Sequence, residues 1–93
     1  MNNKTTFSAL KDKEVISTTD GRRFGYVCDA DIDIQTGRLC AIIVPGELKL
    51  LGLSRCQDYV IPWECIAKIG NDVILVDASR VMRREKAGII KKK

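Results

Sequence analysis

Three apolar strands are encoded in residues 58–77, one that ends at a proline and two, starting at Ile66 and Val73, that form a tight hairpin. The stretch reads Asp58-Tyr-Val-Ile-Pro-Trp-Glu-Cys-Ile-Ala-Lys-Ile-Gly-Asn-Asp-Val-Ile-Leu-Val-Asp77. Pro62 has no N–H and therefore ends the first apolar run, since it cannot continue a central strand. Trp63 is the only tryptophan of the chain, and its large ring follows where it can cover the end of a core. Gly70-Asn71 is a two-residue hairpin signal, and Val73–Val76 is the strand after it. The stretch predicts a small β-domain.

Upstream of this stretch, the sequence predicts three more strands joined by tight turns. They cover Glu14–Thr19, Arg22–Ile34 and Arg38–Val44, and each is rich in β-branched or other apolar residues. Asp20-Gly21 and Gln35-Thr36-Gly37 supply the turns, because glycine adopts positive φ without a steric penalty.

The long strand 22–34 is expected to alternate between two faces. One face would consist of Phe24, Tyr26, Cys28, Ala30, Ile32 and Ile34, and the other of Gly25, Val27, Asp29, Asp31 and Asp33. Six short strands with tight turns and almost no helix predict an all-β fold, a small six-stranded closed β-barrel. We predict this barrel in residues 7–78, between a flexible N-terminus (residues 1–6) and a flexible basic tail (residues 79–93).

Length and composition restrict the class of protein. A chain of 93 residues with 45% hydrophobic and 5% aromatic residues forms one modest core, too small to enclose a deep active-site cavity. No apolar run approaches the roughly 20 residues of a membrane span, and the N-terminus lacks the apolar segment of a signal peptide. We therefore expect a cytoplasmic protein without a membrane span.

No residue pattern points to catalysis or to a metal. The chain has no histidine, so serine and cysteine lack the usual base. The chain has four cysteines and no Cys-x-x-Cys pair: Cys28, Cys40, Cys56 and Cys65. They are expected to be reduced thiols acting as small apolar residues, with a disulfide or an intermolecular crosslink, foremost through Cys56, as the alternative. Asp29-x-Asp-x-Asp33 begins like a calcium loop, but Ile34 and Cys40 stand where an EF-hand needs glycine and glutamate. We expect no enzyme activity, cofactor or metal. The three carboxylates would form a solvated stripe, with weak cation binding or a basic partner as alternatives.

Residues 47–57 are predicted to form a loop of unusual composition between two strands. It contains four leucines, Leu48, Leu50, Leu51 and Leu53. Large apolar side chains are uncommon in a solvated loop. They either fold back over an open end of the barrel or form an exposed patch that docks a protein partner or a second copy of the chain.

Positive charge is concentrated at the C-terminal end. Residues 80–93 hold seven lysines and arginines against Glu85 alone, a net charge of +6, whereas residues 1–79 hold nine against eleven acidic residues, a net charge of −2. The seven are Arg80, Arg83, Arg84, Lys86, Lys91, Lys92 and Lys93. They could contact RNA, DNA or an anionic membrane surface. The tail has no aromatic residue for base stacking, and a solvated, disordered tail is the other reading.

A series of short motifs carries a family likeness. In chain order they are Leu10-x-x-Lys-x-Val15, Asp20-Gly21, Gly25-x-Val-x-Asp-Ala-Asp31, Thr36-Gly37-Arg38, Ile42-Ile-Val-Pro-Gly46, Val60-Ile-Pro-Trp-Glu64 and Ile69-Gly-x-Asp-Val-Ile-Leu-Val-Asp77. The chain resembles the PRC-barrel superfamily, and within it the YlmC/YmxH family of sporulation proteins from spore-forming Gram-positive bacteria.

This resemblance implies a fold and a function. It implies a six-stranded barrel that acts as an adaptor binding other proteins, and it carries over no catalytic residue. We expect a non-enzymatic protein-interaction module associated with sporulation, with a protein partner and self-association through the leucine loop. A nucleic-acid- or ribosome-associated factor that acts through the basic tail is the alternative.

Overall fold

The computed structural model describes residues 4–46 and 57–85. One short helix, α1 (Phe7–Lys11), precedes eight strands. The strands are β1 (Glu14–Ser17), β2 (Arg23–Tyr26), β3 (Asp29–Asp33), β4 (Arg38–Val44), β5 (Gln57–Pro62), β6 (Ile66–Ile69), β7 (Val73–Val76) and β8 (Met82–Glu85). Single 3-10 turns follow β5 (Trp63–Cys65) and β7 (Ala78–Arg80).

The strands form two four-stranded sheets. Sheet A has the order β2-β1-β7-β6, and sheet B has the order β3-β4-β5-β8. All neighbouring strands are antiparallel except β1 and β7, which are parallel. The all-β class is confirmed. The described residues contain eight strands rather than the predicted six. Within these residues the two sheets are not joined into one closed barrel, so closure of the barrel stays a prediction.

The main core lies between the two sheets. Its largest fully buried side chains are Val15, Ile42, Val44, Ile61, Ile74 and Val76. A smaller apolar cluster of Ala41, Ile43 and Val60 occupies the opposite face of sheet B. This division follows from strand geometry, because successive residues of β4 point to opposite faces of the sheet.

The predicted long strand 22–34 is wrong, because the chain passes from sheet A to sheet B in its middle. Val27 and Cys28 separate β2 from β3, and the Cys28 N–H donates to the Ile43 carbonyl at 2.8 Å. The side chain of Val27 is buried in the main core. The six residues predicted to share one face differ in burial: Phe24 is buried, whereas Tyr26, Cys28, Ile32 and Ile34 are exposed.

Strand β8 lies in residues that the sequence assigned to the basic tail. It pairs with β5, and Met82 lies opposite Val60. The Arg84 guanidinium donates two hydrogen bonds, of 3.0 and 3.1 Å, to the Asp31 carboxylate of β3. By register, both side chains project from the face of sheet B that carries the smaller apolar cluster. This pair of hydrogen bonds connects β8 to β3, the strand at the opposite edge of sheet B.

Acid is expected to destabilise this fold through carboxylates with lowered pKa values. Two hydrogen bonds from Arg23, of 2.8 and 2.9 Å, lower the pKa of Glu14, and the Ser79 N–H lowers that of Asp77. A pKa that is lower in the folded state stabilises the protein above the unfolded pKa and stops doing so as pH falls through the folded value. The free energy of unfolding should therefore decline below about pH 4.5, the ordinary pKa of glutamate.

The contribution of Glu14 to this pH dependence is measured by urea unfolding of the Glu14→Gln variant and of the unchanged protein between pH 7 and pH 3. The variant should be less stable at pH 7, and the difference should shrink as pH falls. A difference that stays constant down to pH 3 would show that ionisation of Glu14 contributes nothing.

Candidate functional site

An apolar groove lies between helix α1 and the edge strand β3. Its volume is about 450 Å³, within the range of ligand pockets in proteins. We call it the Trp63 groove. It is lined by Thr5, Thr6, Phe7, Leu10, Asp29, Ala30, Ile32, Leu39 and Trp63.

Helix α1 forms one wall of the groove. The Thr6 hydroxyl caps the helix by accepting the Ala9 N–H at 3.0 Å. Phe7 and Leu10 are three residues apart and therefore share one face of the helix. Leu10 is buried in the main core, whereas Phe7 is 38% exposed, with the Lys11 ammonium 5.8 Å from its ring centroid. One side chain anchors the helix, and the other remains available to a ligand.

Sheet B forms the other wall, and an irregularity in it sets the position of Ile32. The register between β3 and β4 shifts after Asp31, so that Ile32 lies opposite Leu39 and Cys40 is skipped. Ile32 is 59% exposed, although it lies on a strand beside a core. Trp63 follows Pro62 in the 3-10 turn and packs against the main core with only part of its ring. It was predicted to cover the end of the core, and it also lines the groove.

A second, more polar cavity of about 950 Å³ adjoins the Trp63 groove. It is lined by Asp33, Thr36, Arg38, Leu39, Cys40, Trp63 and Glu64, and the two cavities share Leu39 and Trp63. With Asp29 from the groove, three carboxylates and one guanidinium line the combined surface. This surface is an apolar centre with a mostly acidic rim.

The acidic stripe of β3 is occupied by local hydrogen bonds. The Asp29 carboxylate accepts the Ala30 N–H at 2.8 Å, and the Asp33 carboxylate accepts the Gln35 N–H at 2.9 Å. Asp31 accepts both hydrogen bonds from Arg84. Within residues 4–46 and 57–85, no group of three acidic, cysteine or histidine side chains is arranged to hold a metal.

The arginines predicted to contact polyanions pack on the folded domain. Arg80 lies 3.7 Å from the Glu64 carboxylate, Arg84 pairs with Asp31, and the Arg83 guanidinium lies 5.5 Å from the ring centroid of Tyr59. The predicted polyanion contacts Lys86, Lys91, Lys92 and Lys93 lie outside the described residues. So do the four leucines proposed as a docking patch, Leu48, Leu50, Leu51 and Leu53.

The cysteines only partly match their prediction as small apolar residues. Cys65 is buried in the main core, but Cys28 and Cys40 are exposed. Cys56 lies outside the described residues. Cys40 is exposed because it is the residue skipped at the register shift of β4, which alternation alone does not reveal.

Sequence reasoning missed the Trp63 groove. Phe7, Ile32 and Leu39 were assigned to the strand pattern or to the start of the domain, and nothing in their spacing places them around Trp63.

Two sheets around one aliphatic core, with an apolar groove at one edge, define a small all-β domain. Residues 3–83 match the PRC-barrel domain, and the chain belongs to the PRC-barrel family. The resemblance read from the sequence motifs is thereby confirmed. No helix within the described ranges is long and apolar enough to cross a membrane.

Within this family, the chain is similar to three bacterial proteins over nearly their whole length. It is 41% identical over 75 residues to the probable sporulation protein YlmC of Bacillus subtilis (strain 168), covering 80% of this chain and 93% of the relative. It is 33% identical over 78 residues to the protein YmxH of the same organism, covering 81% and 91%. An uncharacterised protein of Clostridium acetobutylicum is 36% identical over 76 residues, covering 82% and 87%.

Proposed function

We propose that this chain is a non-enzymatic adaptor, a cytoplasmic protein-interaction module that acts in sporulation. The Trp63 groove is the observation that carries the proposal. The similarity to a probable sporulation protein of Bacillus subtilis supports the biological setting. The groove supports the biochemical role, because its lining is suited to binding and offers no pair of reactive side chains.

Two properties of the groove favour a protein ligand. Exposed apolar side chains that lie together, rather than singly, are typical of surfaces that bind other proteins. Tryptophan is also enriched among the residues that contribute most to protein–protein affinity, especially where an apolar centre is surrounded by polar groups. Trp63 occupies such a position, with Ile32 and Phe7 beside it.

Ile32→Ser is expected to abolish partner capture without unfolding the domain. Ile32 is 59% exposed, so the substitution removes apolar surface from the groove while removing little from the core. The measurement is affinity capture from lysate of sporulating cells, with and without nuclease, followed by protein identification. Capture of a discrete protein that survives nuclease and is lost with Ile32→Ser is the expected result.

Ile34→Ser is the matched control. Ile34 lies two residues away and is 93% exposed, but it does not line the groove. It should capture the same protein as the unchanged chain. Equal capture by Ile32→Ser, with an unchanged circular dichroism spectrum, would reject the groove as the docking site. Loss of all captured material with nuclease would reject the adaptor role in favour of nucleic-acid association.

A further inference from the structure

The chain itself contains a segment whose chemistry is complementary to the Trp63 groove. Residues 89–93 read Ile89-Ile-Lys-Lys-Lys93, two β-branched apolar residues followed by three positive charges. The groove offers an apolar centre, and Asp29, Asp33 and Glu64 lie on its rim and that of the adjoining cavity. Arg38 on the rim, Lys11 beside Phe7 and Arg80, which lies 3.7 Å from the Glu64 carboxylate, offset part of this negative charge. The apolar residues must therefore supply most of the affinity.

The groove also offers an open strand edge. Among residues 4–46 and 57–85, strand β3 is the last strand of sheet B on the groove side, so one row of its backbone N–H and C=O groups faces away from β4. An extended peptide can add to such an edge through main-chain hydrogen bonds and place alternate side chains in a neighbouring pocket. The β-branched residues Ile89 and Ile90 favour an extended conformation.

The direction of β8 favours a second copy of the chain over the same copy as the source of this segment. Strand β8 runs antiparallel to β5 and ends opposite Gln57, whereas the groove lies beyond Pro62 at the other end of β5. Ile89 lies four residues after Glu85, a span of at most about 14 Å even when fully extended. Strand β5 alone is about 17 Å long from Gln57 to Pro62, at about 3.3 Å per residue. Ile89 of the same copy therefore cannot reach the groove.

We propose that residues 86–93 of one copy dock in the Trp63 groove of a second copy, with Ile89 and Ile90 at the apolar centre and the lysines over the acidic rim. This proposal rests on the proposed function only in that the protein partner and the tail of a second copy would use the same groove. It implies that a protein partner and the tail of a second copy compete for one site. An exchange of this kind links copies head to tail, or in a reciprocal pair when two copies face each other.

Sedimentation equilibrium of the full-length, nuclease-treated protein over a wide concentration range tests the proposal. The unchanged chain and Ile34→Ser should show an average mass that rises with concentration, and less so at high salt because ions screen the lysine contacts. Ile32→Ser, and separately Ile89→Ser/Ile90→Ser, should weaken self-association at least tenfold. Mixing these two variants should restore association, because one supplies an intact tail and the other an intact groove.

A synthetic peptide of residues 86–93 gives a direct measurement. Added to the full-length Ile89→Ser/Ile90→Ser variant, whose own tail cannot compete, it should change the emission of Trp63, the only tryptophan. A peptide with serine at both isoleucine positions should not.

Three results would overturn the proposal. The first is an unchanged chain that stays monomeric at all concentrations. The second is an Ile89→Ser/Ile90→Ser variant that associates as strongly as the unchanged chain, and the third is a variant of this kind that differs from the unchanged chain in Trp63 emission but not in average mass. The last would place the tail in the groove of its own copy. None of these results affects capture of a protein partner through Ile32, so the adaptor role is tested separately.

Discussion

Replacement of Ile61 by alanine is expected to lower the free energy of unfolding by about 2–5 kcal/mol. Ile61 is fully buried at the centre of the main core, and it pairs across the strands with Ile42, which is also fully buried. Alanine would leave a cavity between two sheets that cannot close without breaking the pairing of β4 with β5. Because domains of this size are stable by only about 5–15 kcal/mol, the loss is a large fraction of the total.

Urea unfolding, monitored by the fluorescence of Trp63, measures this effect. Two further variants provide comparisons with a smaller expected loss of stability. Ile61→Val removes one methylene and should cost about 0.5–1.5 kcal/mol. Ile34→Ala removes the same atoms as Ile61→Ala from a side chain that is 93% exposed, and should change stability by less than about 0.5 kcal/mol. Equal midpoints for Ile61→Ala and Ile34→Ala would show that the two sheets do not share this core.

The part of the fold that could be predicted from the sequence is its second half. The proline-terminated strand and the hairpin after Trp63 appear as β5, β6 and β7, because proline chemistry and turn residues act locally. Pro62 is the last residue of β5, and the Gly70 N–H donates to the Val73 carbonyl at 2.8 Å within the predicted turn. Local signals of this kind do not depend on which sheet a strand joins.

The split of the long strand lies where the alternation fails. Tyr26, Val27 and Cys28 are three successive apolar residues, and the chain changes sheets at Val27 and Cys28. Strict alternation holds only over residues 28–34, and it does not show which sheet those residues join. Gly25, with φ at +119° and lying beside Val44, allows the backbone to bend in β2 just before the break. Long-range packing decides on which side of the sheet a later residue falls, and Ile32 is exposed as a result.

Strand β8 and the groove are tertiary features with little sequence signal. Met82–Glu85 has the composition of a solvated segment, and only its pairing with β5 and the contact of Arg84 with Asp31 make it part of sheet B. The groove likewise combines residues from the helix, two strands and the turn after Pro62. Arg83 and Arg84, which the sequence predicts as polyanion contacts, thus lie in an edge strand of sheet B.

Leu10 and Trp63 both contact the main core and line the groove, and Leu10 makes helix α1 an element that links stability to binding. Five residues are far too few for an independent helix. Besides its packing against the core through Leu10, the helix region is held by the Thr6 cap and by the Lys13 ammonium, which donates to the Asn71 carbonyl at 2.7 Å. Among these contacts only Leu10 buries apolar surface.

Leu10→Ala is therefore expected to cost about 2–5 kcal/mol of stability and to release the helix from the sheets. The wall of the Trp63 groove would be lost with it, so partner capture and self-association should both fail. Hydrogen exchange at the amide of position 10, which donates to the Thr6 carbonyl, should become fast while amides of β4 and β5 remain protected.

Phe7→Ala separates binding from stability on the same helix. Phe7 is 38% exposed and lies in the groove rather than in the main core, so its removal should change the free energy of unfolding by less than about 1 kcal/mol. Partner capture should nevertheless fall as it does for Ile32→Ser, because the same apolar surface is removed from the opposite wall. Full capture by Leu10→Ala under conditions where the sheets remain folded would show that the ligand contacts sheet B alone. Helix α1 would then be only a cover for the core.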